Sequence, residues 1–85
     1  MITHVAIKSN HDGNVYKLPK PNRHCHVIAM LVKSGFPKPV TGTQGFTTDN
    51  GIFMDRKEAA IYAITEGQIN ELQWTKDNLF SEDLW

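Results

Sequence analysis

Two stretches of this chain carry residues whose types and spacing could do chemistry. The first is Arg23-His24-Cys25-His26. His and Cys are good zinc ligands, and an extended strand would set His24 and His26 on one face. On a helix, positions two apart diverge by roughly 200°, and no paired ligand spacing elsewhere in the chain completes a tetrahedral set. The alternative use is anion binding. A helix N-terminus offers free N–H groups and partial positive charge, Arg23 adds a guanidinium fork, and His24 or His26 can donate further hydrogen bonds. The bland assignment is surface histidines, with Cys25 as a small core residue.

The second stretch runs from Gly45 to Arg56. Phe46 stands beside the hydroxyls of Thr47 and Thr48, with Asp55 and Arg56 close behind at a helix start. An adenine ring asks for a flat apolar face, and a pyrophosphate asks for a cation and N–H donors. The bland assignment makes Phe46 and Phe53 core residues and Arg56 a solvated first-turn side chain. Catalysis has no recognisable apparatus: no nucleophile elbow, no phosphate-cradling glycine loop, no ordered histidine–acid–serine set. The chain therefore reads as a binding protein, not an enzyme, with no cofactor and no metal.

The elements that must position these groups are legible from turn chemistry. Ile2–Ile7 and Val15–Leu18 flank Asp12-Gly13-Asn14 and predict a β-hairpin. Pro19 and Pro21 then end the ladder. Asn22 is placed to cap a helix from about Arg23 to Ser34, stopped by Gly35, with Cys25, Ile28, Ala29 and Val32 along one stripe. Val27, Met30 and Leu31 lie beside that stripe, so that more than one side is expected to be buried. Residues 44–48 and 52–54 flank Asp49-Asn50-Gly51 and predict a second hairpin. Asp55-Arg56-Lys57-Glu58 is a capping box with Asp as the acceptor, opening a helix that Gly67 closes. Residues 68–85 are less regular, but their apolar anchors, Trp74 and Trp85 among them, predict a tail that packs. The fold class is α+β: a small antiparallel sheet of hairpins with two helices, in one domain spanning residues 1–85.

Composition narrows the partners. Nine basic residues balance nine acidic ones, so duplex nucleic acid finds no net attraction. The first 40 residues hold six cations against Asp12 alone, which suits a small anionic ligand or the acidic half of another copy. The single cysteine allows no intrachain disulfide and fits a reducing compartment. No run approaches the ~20 apolar residues that a membrane span needs. A chain this short builds a modest core, and oligomerisation is a common remedy.

The run GFTTDNGIFMDRKEAAIYAITEGQI, residues 45–69, and the ending LFSEDLW, residues 79–85, together somewhat over a third of the chain, resemble small phage and prophage proteins. Within that set the chain is most similar to the anti-Thoeris sponge family, the first Thoeris anti-defence type. The resemblance implies a phage protein in the cytoplasm of the infected host. It would sequester a cyclic ADP-ribose isomer made by bacterial TIR-domain enzymes, without cleaving it. It also implies α+β subunits assembled into dimers or larger homo-oligomers, with ligand sites between subunits, and in some members separate sites for cyclic trinucleotides. Carried over residue by residue, Phe46 matches the base-stacking aromatic, Asp55 a polar contact where relatives often have Asn, and Arg56 follows it. Arg23 and Arg56 would hold phosphates, while His24, Thr47, Thr48 and Asp55 would tune hydrogen bonds. The alternative is a phage protein that inhibits or scaffolds a host protein through its tryptophan-bearing tail.

Overall fold

The computed structural model describes residues 1–85. Both expected hairpins form. Strand β1 (Ile2–Ser9) pairs antiparallel with β2 (Val15–Pro19), with Val5 opposite Leu18. Strand β3 (Gly42–Thr48) pairs with β4 (Phe53–Asp55), with Phe46 opposite Met54. The hairpins join through β1 and β3, also antiparallel, with Val5 opposite Phe46, in a four-stranded sheet of order β2-β1-β3-β4.

Two inner strands follow from this order, and they hold the core. Val5, Ala6 and Ile7 are consecutive and all buried, as are Gly45 to Thr48. Neighbouring residues on a strand point to opposite faces, so the sheet is covered on both sides there. Gly45 is required by the pairing itself, because a Cβ at that position would collide with the Met54 carbonyl. At the β3–β4 turn Gly51 sits at φ 79°, where a side chain would be strained. The Thr48 hydroxyl accepts from the backbone N–H groups of Asn50 and Ile52, each at 3.3 Å, and holds the loop.

Helix α1 (His24–Lys33) links β2 to β3, and α2 (Arg56–Thr65) follows β4 directly. The inward stripe of α1 is His24, Val27 and Leu31, displaced from the expected one. Cys25 is exposed, not a core residue. Helix α2 packs Ala59, Ala60 and Ala63 inward, and small side chains let it lie close to the sheet.

The tail packs, with one correction to the expectation: Trp74 is not among the anchors and stands exposed, because the core beside it is already filled by its tail neighbours. Leu79 is fully buried, and Ile69, Leu72, Leu84 and Trp85 lie against the core. Gln68 acts as a surrogate strand: its side-chain carbonyl accepts from the Ile2 N–H at 2.9 Å, and its amide donates to the Ile2 carbonyl at 3.0 Å. A short third helix, α3 (Ser81–Leu84), ends the chain, and Trp85 Nε1 donates to the Asn22 carbonyl at 2.9 Å. No helix is long and apolar enough to cross a membrane.

Candidate functional site

The first turns of α1 and α2 and the start of α3 meet at one cleft. Each is fixed by local chemistry. Asn22 does not cap α1; its side-chain amide donates to the Pro19 carbonyl at 2.8 Å. Arg23 takes the cap position in extended backbone, and its N–H donates to Nδ1 of His26 at 2.8 Å. His26 is thereby spent on closing the turn, which leaves the Arg23 side chain free to swing toward α3. Helix α2 opens on the expected box. The Asp55 carboxylate accepts from the Glu58 N–H at 2.8 Å, and the Glu58 carboxylate accepts from the Asp55 N–H at 3.1 Å. Arg56 is thus the first helical residue, and its carbonyl accepts from the Leu79 N–H at 3.0 Å, which brings the tail alongside.

These three starts enclose a cleft of about 420 Å³, lined by Arg23, His24, Cys25, Arg56, Phe80, Ser81 and Glu82. Small-ligand pockets span roughly 300–1,000 Å³. The Arg56 guanidinium stacks on the Phe80 ring, 4.4 Å from its centroid, while its Nε is buried without a hydrogen-bond partner. Burial pushes the Arg56 guanidinium down from its ordinary value, and Glu82 acts against that shift. The group stays cationic, with its Nε short of an acceptor.

Arg23 Nη1 donates to Ser81 Oγ and to Glu82 Oε1, both at 3.3 Å. Ser81 Oγ donates to the same Glu82 oxygen at 2.6 Å. That hydroxyl bond, with lesser help from Arg23, holds the Glu82 carboxyl below its usual range. Two guanidiniums therefore face one carboxylate, and the cleft is net cationic.

His24 is 7% exposed and walls the cleft from the sheet side. Its Nε2 lies 2.8 Å from the Gly45 carbonyl, which can only accept, so Nε2 carries the proton. Its ring meets Phe46 edge to face, with centroids 5.1 Å apart. Burial holds the imidazole below its ordinary value and Arg56 lowers it further, against the Gly45 carbonyl and Glu82. At neutral pH it is an uncharged ring with Nδ1 as acceptor; on protonation it becomes a third cation at the cleft.

Of the residues expected to form a site, the fold brings together Arg23, His24 and Arg56. It sends the others elsewhere. Phe46 is 0% exposed and offers no face to a ligand; it is a core residue whose ring edge supports His24. Thr47 is buried in β3 with its hydroxyl unpartnered, and Thr48 spends its hydroxyl on the turn. Asp55 is committed to the α2 cap. The aromatic that the cleft does use is Phe80, and Ser81 and Glu82 come with it, none of them anticipated. Their signal was the Phe80-Ser81-Glu82 run, an aromatic and an acid inside a tail expected to pack. His24 and His26 point to different partners, and no group of three or more His, Cys, Asp or Glu side chains gathers to hold a metal.

Fold and site together define a small α+β domain with a cationic, aromatic-backed cleft at converging helix starts. Its lineage is plain over its full length: residues 1–85 match the phage T4 y16D protein family, and the chain belongs to it. No curated protein and no solved structure matches the chain.

Proposed function

We propose that this phage protein binds and sequesters a small phosphorylated signal in the Arg23–His24–Arg56 cleft, without cleaving it. The class the resemblance suggests is a cyclic nucleotide immune signal such as a cyclic ADP-ribose isomer. The observation that carries the reading is the Arg56 guanidinium, pinned on Phe80 beside Arg23 with a buried, unpartnered Nε. Fixed guanidiniums suit phosphate better than mobile ones, because less side-chain freedom is lost on binding.

The cleft is open on one side, and a second copy closing over it would add contact area to a ligand of nucleotide size. Self-association into a dimer or larger homo-oligomer is part of the proposal. Calorimetry with a panel of cyclic ADP-ribose isomers tests the binding, with bound ligand recovered intact after heat denaturation. Silence across the panel, or recovery of a cleaved product, rejects it.

One observation favours a second reading, direct contact with a host protein. Ile61 is 70% exposed and Ile64 44%, on an α2 face grooved against Leu72 and edged by Lys57 and Lys76. An Ile61→Glu variant separates the two: it blocks a protein docked on α2 and leaves ligand capture at the cleft intact.

A further inference from the structure

We infer that Trp74 is the base-stacking platform of the same site, so that the ligand is a purine nucleotide lying between tryptophan and arginines. The inference rests on the anion-binding reading of the cleft and adds where the base goes. Trp74 is 68% exposed, although Ile69, Leu72, Leu79 and Trp85 from the same tail all find the core. A tryptophan left in water forgoes one of the largest burial gains of any side chain.

Its position is not accidental slack. The Gln73 N–H donates to the Asp83 carboxylate at 2.8 Å, just before it. Just after it, the Thr75 hydroxyl donates to the Asn78 carbonyl and accepts from the Asn78 N–H, both at 2.9 Å. The backbone is thus tied down on both sides of a displayed indole.

That indole shares a hollow of about 160 Å³ with Phe80 and Glu82. Phe80 and Glu82 also wall the arginine cleft, so the two hollows are neighbours across these side chains. With phosphates at Arg23 and Arg56, a base directed past Phe80 and Glu82 would meet the indole face. Base–aromatic stacking tolerates any base, but purines present the larger surface. Glu82, between the two hollows, can accept from ribose hydroxyls while Arg23 offsets its charge.

The test uses ADP and inorganic pyrophosphate as probes, the second lacking a base. The expected result is that wild type binds ADP more tightly than pyrophosphate and that ADP quenches indole fluorescence. Trp74→Ala should weaken ADP by roughly 5–150-fold, as loss of one stacked base does elsewhere, and leave pyrophosphate unchanged. Trp74→Phe should restore much of the difference. If Trp74→Ala binds ADP like wild type, or loses both probes equally, the platform is rejected while the cleft stands. If wild type takes up neither probe, the cleft reading fails and the platform falls with it.

Discussion

The middle of β3 and the helix starts around Arg56 are built from similar materials and meet opposite fates. Each offers an aromatic ring, a hydroxyl and polar neighbours, but from sequence only the ring on β3 is expected to face a ligand. On β3 the ring is Phe46, sealed between sheet and helices, with the Thr47 hydroxyl orphaned beside it. At the helix starts the ring is Phe80, half-buried and carrying a guanidinium on its face. The difference lies in neighbours that composition does not record. An inner strand covered on both faces turns its side chains into core, whereas these helix starts lie at the edge of the fold and keep one face toward an open cleft. An aromatic beside hydroxyls signals a ligand only where a boundary with water runs through it.

The contrast can be broken most forcefully at Phe46. Phe46→Ala should cost about 3–5 kcal/mol of stability, as emptying an aromatic core site does, seen as a lower denaturant midpoint. Phe46→Leu should keep the fold and bind ligand nearly as well as wild type. Selective loss of binding in a stable Phe46→Leu protein would return the ring to the site. Next in size is Arg56→Gln, which removes a charge-assisted contact of about 1.5–3 kcal/mol and should weaken phosphate ligands by one to two powers of ten. Unchanged calorimetric affinity would remove Arg56 from the site. Glu82→Gln deletes the carboxylate that competes for Arg23 and should tighten inorganic phosphate modestly, by about 1 kcal/mol at most given its exposure. Weaker phosphate binding in that variant would mean that Glu82 positions Arg23 more than it repels the anion.

The smallest effect concerns pH. Folding lowers the His24 value from its ordinary 6.5, so the unfolded chain takes up a proton there more readily than the native one. The stability this contributes is complete above 6.5 and is lost as pH falls from there through the folded value. His24→Gln should flatten that part of the stability curve in chemical denaturation. Phosphate binding should also take up a proton as pH falls, because a bound anion favours the imidazolium. An unaltered slope in the variant would assign the acid sensitivity to another group, His4 being the other histidine whose value is lowered, by partial burial and by Lys17.

Much of the scaffold was legible because turn and cap residues act locally. Asn50-Gly51 and Asp12-Gly13 mark their hairpins, and Asp55 with Glu58 marks the start of α2, whatever else the chain does. The face of α1 was misjudged for a physical reason. His24 counts as polar in any hydrophobic pattern, yet the Gly45 carbonyl satisfies it and lets it be buried. With His24 inside, the stripe turns by about 100°, the angle per helical residue, and Cys25 is carried out to solvent. Arg23, His24 and Arg56 were recognisable because helix starts are local too. Phe80, Ser81 and Glu82 reach the cleft only through long-range ties, the Leu79 N–H to the Arg56 carbonyl and Trp85 to Asn22. Those ties also make truncation of residues 71–85 a poor probe of partner binding, since Leu79 leaves the core with them.

The most direct measurement is to follow backbone amide resonances while cyclic ADP-ribose is titrated into the intact protein. The account predicts that shifts concentrate at Arg23, His24, Arg56 and Phe80 to Glu82. Shifts confined to Ile61, Ile64 and Leu72, or no shift at millimolar ligand, would contradict it.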